Sequence, residues 1–133
     1  MLINKCIKSF DNLHDNRVLR YCADFETHNL YMETRTEDGK KISVNFSGFM
    51  AHWFENVIQD NILFGMEEIT VDGFFEQYKE LLSYTVSYGF PACCSTEELR
   101  KLMKREKVRA FIIDSSLGLC GFVLAKEVEI QCQ

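Results

Sequence analysis

The alternation of apolar and polar positions is sharpest between residues 18 and 48. Segments 18–25, 30–36 and 42–48 each alternate with the period of two expected of a half-buried strand, because successive side chains leave a strand on opposite faces. Between the last two lies Glu37-Asp38-Gly39-Lys40. An Asp-Gly pair there favours a tight hairpin, since Gly accepts positive φ without a Cβ penalty and Asp tolerates it. A three-strand antiparallel meander is therefore predicted. In its first strand Leu19, Tyr21, Ala23 and Phe25 are expected to face the core, with Val18, Arg20, Cys22 and Asp24 on the opposite side. In the second, Leu30, Met32, Thr34 and Thr36 oppose Tyr31, Glu33 and Arg35. In the third, Ile42, Val44, Phe46 and Gly48 oppose Ser43, Asn45 and Ser47. A sheet with one dry face needs a covering layer, and the later segments are expected to supply it.

Before the meander, residues 1–17 form a lead-in segment rich in turn-formers, which Ile3, Ile7 and Phe10 could anchor by helix or strand geometry. After it, Met50, Trp53, Phe54 and Val57 fall at helical spacing, predicting a short helix or turn that lays its aromatic side on the sheet. Segment 62–71 reads as a strand with Gly65 at a bulge, in preference to an irregular continuation. Asp72 is a suitable helix N-cap, followed by Phe74, Phe75, Tyr78, Leu81 and Leu82 on one face. That helix is expected to stop near Gly89, before Pro91. Ser95 with Glu98 forms a capping-box signature that starts a second helix, with an apolar stripe of Leu99, Leu102 and Met103. Segments 108–113 and 119–130, joined by 114–118, return to the strand pattern as a closing hairpin. The expected fold is a single α+β domain spanning 1–133, its mainly antiparallel sheet built from the N-terminal meander and the C-terminal hairpin and covered by two helices.

The 133 residues are about one domain's worth, enough to bury roughly two-thirds of the unfolded chain's surface. A hydrophobic share of 47% beside 26% charged residues argues against a disordered chain. The longest uncharged stretch, 81–94, is too short and too polar to span a membrane. No secretory signal is visible at the start, so a cytoplasmic address is expected. In that reducing setting the six cysteines are expected to be mostly reduced and buried. The net charge of -5 is uneven: residues 97–109 hold six basic against three acidic side chains, a local +3 that leaves -8 for the remainder. An acidic body repels phosphate backbones at long range, so a basic protein partner is expected and nucleic acid is not.

Few residues form a constellation that could carry chemistry. His14-Asp15 is a doublet found at divalent-metal centres, but such a centre needs further His and Asp ligands, and only His28 and His52 remain. His52 and Glu55 are spaced to share a helical face, without the second pair a di-metal site requires. Cys93 and Cys94 precede the Ser95 helix, whose N-terminus favours a thiolate, yet no helper motif accompanies them. Segment 118–121 lacks the Lys-Ser/Thr of a phosphate loop. The basic residues from Arg100 to Arg109 alternate with acids as on a solvated helix face. No metal, no cofactor and no catalytic set is expected.

Leu13-His14-Asp15, the meander, Phe46-Ser47-Gly48-Phe49 and Asn61-Ile62-Leu63-Phe64 together resemble segments of small bacterial proteins grouped with the immunity proteins of polymorphic toxin systems. The resemblance implies a non-enzymatic cytoplasmic protein that binds a toxin domain and blocks its active site; an acidic body would suit a basic toxin, and the chain is separately expected to be a monomer or homodimer. The expected interaction surface is the polar side of the meander, at Arg20, Asp24, Glu33 and Arg35, or the acidic flanks. The rival expectation is a small-molecule-binding domain or enzyme whose pocket opens near the aromatic segment, with His52, Trp53, Cys93 or Cys94 at its mouth.

Overall fold

The computed structural model describes residues 6–132. Nine strands run in the order β1 (Cys6–Ser9), β2 (Arg17–Asp24), β3 (Asn29–Arg35), β4 (Lys41–Ser47), β5 (Ala51–Glu55), β6 (Asn61–Ile69), β7 (Arg109–Leu117), β8 (Cys120–Ala125) and β9 (Glu127–Cys132). Between β6 and β7 lie three helices, α1 (Val71–Gln77), α2 (Lys79–Thr85) and α3 (Thr96–Glu106). The fold is α+β. All nine strands join one antiparallel sheet in the order β5-β8-β7-β6-β2-β3-β4-β9, with β1 paired to β6.

That sheet closes on itself. β4 runs into β5 across residues 48–50, and β8 runs into β9 across the single residue Lys126. The β5-β8 and β4-β9 pairings are thus two halves of one long antiparallel ladder. Its corner is held by the Lys126 amide, which donates to the Ser47 carbonyl at 3.0 Å. β2, β3, β4 and β9 therefore fold over β6, β7 and β8, and the two inner faces meet. Leu30, Met32, Val44 and Phe46 from one half interleave with Leu63, Phe111, Ile113 and Val123 from the other.

The predicted covering layer is present but covers something else. The helices pack on the outer side of β6, β7, β8 and β5, where Phe74, Phe75, Leu82, Leu99 and Met103 close over Ile69, Ala110, Ile112, Phe122 and Leu124. Residues 110–113 of β7 and 122–125 of β8 are consequently apolar on both faces, as buried strands are. The dry face of the meander is covered by the sheet's own far half. Its polar face is covered by nothing among the described residues.

Local chemistry explains the other departures. The aromatic segment is strand β5, not a helix: its side chains alternate between the two cores, with Trp53 in the helix-covered one and Phe54 against the inner one. The first helix is capped by Thr70, whose hydroxyl accepts from the Gly73 amide at 3.0 Å, and Asp72 sits in its first turn. It breaks at Tyr78 and resumes as α2, so the helices number three, and Gly89 ends the run in the left-handed conformation. Ser95 caps α3 as predicted, accepting from the Glu98 amide at 3.2 Å. The predicted strand over 62–71 is β6, with its register interrupted beside Gly65. In β2 a bulge between Val18 and Arg20 turns Val18 toward the core, while Phe25, expected inside, is 74% exposed. In the lead-in segment Phe10 is buried and Ile7 is exposed, while Ile3 lies outside the described residues. The closing hairpin turns at 118–119, beyond the predicted 114–118 link, and the predicted strand over 119–130 is interrupted at Lys126. All six cysteines are free, and the expectation that they are buried is corrected: Cys6, Cys22, Cys93 and Cys132 are exposed, while Cys94 and Cys120 are half-buried.

Candidate functional site

The uncovered face of β2, β3, β4 and β9 is four strands wide, and the strand register sets its residues in rows. Arg20, Glu33, Ser43 and Gln131 form one row, Cys22, Tyr31, Asn45 and Glu129 the next, and Asp24, Asn29, Ser47 and Glu127 the third. Beyond the first row, Arg17, Arg35 and Lys41 stand opposite one another. The face is therefore cationic at one end and carboxylate-rich at the other.

Of the four predicted surface residues, the structure joins Arg20 and Glu33 directly. Arg20 Nη1 lies 3.5 Å from Glu33 Oε1, and Lys41 Nζ approaches the same oxygen at 4.0 Å. The Glu33 side chain is only 13% exposed, and its Oε1 makes no hydrogen bond of good geometry. Arg35 stands two residues further along β3, at the cationic end, where it and Arg17 border a surface hollow of about 630 Å³ that Asp15 and Glu37 also line. Asp24 lies at the opposite end. Its carboxylate accepts from the amides of Glu26 at 3.0 Å and Thr27 at 3.1 Å. Those backbone donors, that of Thr27 foremost, hold its pKa below the ordinary value and keep it ionised.

The rest of the face is pre-ordered by short polar contacts. Asn45 Nδ2 donates to Asn29 Oδ1 at 3.1 Å, and Gln131 Nε2 donates to Glu129 Oε1 at 2.9 Å. Glu127, Glu129, Lys41 and Arg17 were missed in the sequence because the face is assembled by long-range pairing of β9 with β4 and by the cation row that pairing leaves exposed. A local signal for β9 does exist: Glu127, Glu129 and Gln131 alternate with Val128 and Ile130 at period two.

Of the residues expected around a pocket, Trp53 and Cys94 pack in one cluster, and His52 lies on the opposite face of β5. His52 and Trp53 are neighbours on β5 and so point to opposite faces. His52 is half-buried among the rings of Phe54 at 4.8 Å, Phe49 at 5.7 Å and Tyr21 at 6.5 Å, and this burial lowers its pKa. Trp53 lies on the helix side with Phe90 at 5.6 Å, where Cys94 also packs, while Cys93 is exposed. His14 is held locally: Nδ1 donates to the Phe64 carbonyl at 2.6 Å and Nε2 lies 3.3 Å from Asp15. Among the described residues no group of three or more His, Cys, Asp or Glu side chains is placed to hold a metal ion. Two basic residues of α3 are engaged within the chain: Arg100 reaches Asp72 at 2.6 Å and stacks over Phe75, and Lys104 reaches Asp72 at 3.2 Å. No described helix is long and apolar enough to cross a membrane.

The fold and face together define an α+β domain with a self-closed antiparallel sheet, one flank covered by helices and the other left polar and open. Comparison with protein-family models, with curated proteins and with solved structures finds no match for this chain.

Proposed function

We propose that this protein is a non-catalytic binding domain that engages a protein partner through the open face of β2, β3, β4 and β9, and that the partner is a basic toxin domain that it neutralises. The observation that carries this reading is the sorting of charge on an uncovered, pre-ordered sheet face. Asp24, Glu127 and Glu129 form a carboxylate end suited to lysine and arginine side chains. Glu33, largely buried, lies between Arg20 and Lys41 and holds those two cations in place on the face. An open sheet face with fixed charges suits protein recognition, where complementary potentials steer encounter and set register. The toxin assignment rests on the sequence resemblance and on the acidic balance of the chain outside α3.

The test is isolation of the tagged protein with its partner from the native host, followed by repetition with Glu127→Lys and Glu129→Lys together. A basic nuclease or similar toxin domain recovered by the wild type and lost by the variant supports the reading. Equal recovery by both proteins, or turnover of a small molecule with no protein partner recovered, contradicts it.

A further inference from the structure

β2 is flanked on both sides only at its start. Arg17 and Val18 pair with β6, and from there to Asp24 β3 is the only described strand paired with β2. Residues 19–24 make no backbone hydrogen bond to any other described element. Core-side Tyr21 is 38% exposed in consequence. A bare edge of this kind is a template for another strand.

β5 and β9 also pair on one side only, so the residues along each edge decide what it can accept. β9 carries Glu127 and Glu129 and repels a copy of itself. β5 presents Glu55 with no lysine or arginine on the strand to match it. β2 is different, because its free segment is complementary to itself. Run antiparallel to a copy about Cys22, Arg20 falls opposite Asp24 of the second copy, and Tyr21 falls opposite Ala23. Arg20, Cys22 and Asp24 share the open face, so both ion pairs form on that side, while the two Tyr21-Ala23 pairs cover apolar surface on the other. Opposite charges directly across an antiparallel pair stabilise it and like charges do the reverse, which makes this register selective.

We propose that two copies of this chain pair antiparallel through residues 20–24 of β2, about a two-fold axis at Cys22, so that their open faces become one continuous sheet. The ionised state of Asp24, fixed by the Thr27 and Glu26 amides, keeps the ion pairs available over the neutral range. The pairing uses Asp24 of the open face and leaves Glu127 and Glu129, three strands away on β9, uncovered.

The experiment is sedimentation equilibrium of the full chain over a concentration series, with circular dichroism to check that each variant is folded. The wild type is expected to dimerise, and Arg20→Asp and Asp24→Arg are each expected to weaken self-association at least about 100-fold. Mixed in equal amounts, these two variants are expected to dimerise with one another, since opposite charges then meet at both crossings. Mild copper-catalysed oxidation of the wild type is expected to give a disulfide dimer that is lost in Cys22→Ser and retained in Cys93→Ser. A wild type that stays monomeric up to about 1 mM overturns the proposal. So does a dimer that neither charge reversal weakens and that still cross-links in Cys22→Ser.

Discussion

The rings of Phe46 on β4 and Phe111 on β7 lie 5.5 Å apart, with their planes inclined at 57°. Both residues are fully buried, and they come from the two halves of the sheet that close on one another. Truncating either to alanine removes a large apolar side chain from a site with little room to collapse, at a cost of about 3–5 kcal/mol. Because the rings touch, the double variant is expected to lose less than the sum of the single losses. Urea unfolding of the four proteins, analysed as a double-mutant cycle, measures both quantities.

Gly121 lies where the backbones of β8 and β5 leave no room for a side chain. Its φ is +148°, and a Cβ at this position would overlap the carbonyl of Trp53. Gly121→Ala therefore forces the two strands apart and is expected to cost about 3 kcal/mol. Gly39, whose added Cβ would meet nothing, has φ of +89° and is expected to cost only about 1 kcal/mol as alanine. The difference in thermal midpoint between the two variants checks the contrast.

The Ser95 cap satisfies the Glu98 amide, and its hydroxyl also lies 3.1 Å from the Glu98 carboxylate. Ser95→Ala is expected to lower stability by about 1 kcal/mol. Ser95→Thr keeps a hydroxyl at the cap and is expected to stay near wild type. Denaturant midpoints read both.

His52 sets a pH dependence whose sign follows from its burial among aromatic rings. Its folded-state pKa lies below the ordinary 6.5, so the unfolded chain takes up the proton more readily. The stability contributed by the neutral form is fully present above 6.5 and is lost as pH falls through the folded-state value. Compared with His52→Phe, the wild type is expected to lose stability in that acidic window and to run parallel above it. Unfolding free energies of both proteins at closely spaced pH values provide the test.

What could be read from the chain follows how local each cause is. The Asp38-Gly39 turn, the Ser95 cap, the Gly89 stop and the period of two in β3 and β4 act within a few residues, and the structure has each of them in place. The aromatic segment was misread because Met50, Trp53, Phe54 and Val57 satisfy helical spacing, whereas a strand lying between two cores is also apolar on both faces. The bulge at Leu19 shifts the facing of β2 by one residue, which a regular alternation hides. Closure of the sheet depends on β4-β5 meeting β8-β9, a pairing between distant segments with no local signature. That closure decides which face stays open: the meander alone sets Arg20, Glu33 and Arg35 on one face, whereas the alternation of β9 marks Glu127 and Glu129 as sharing a face without saying that it adjoins the meander.

The claim that the open face is the binding surface is tested most directly by affinity for the purified partner, measured by calorimetry on three proteins. These are the wild type, the paired Glu127→Lys and Glu129→Lys variant, and a control with Glu76→Lys and Glu80→Lys on the exposed side of α1 and α2. The net charge change is the same in both variants, so a general electrostatic effect would weaken them equally. The account predicts at least about a 100-fold loss of affinity, or about 2.7 kcal/mol, for the face variant, with the control within about threefold of wild type. Equal weakening of the two variants, or a loss confined to the control, would contradict it.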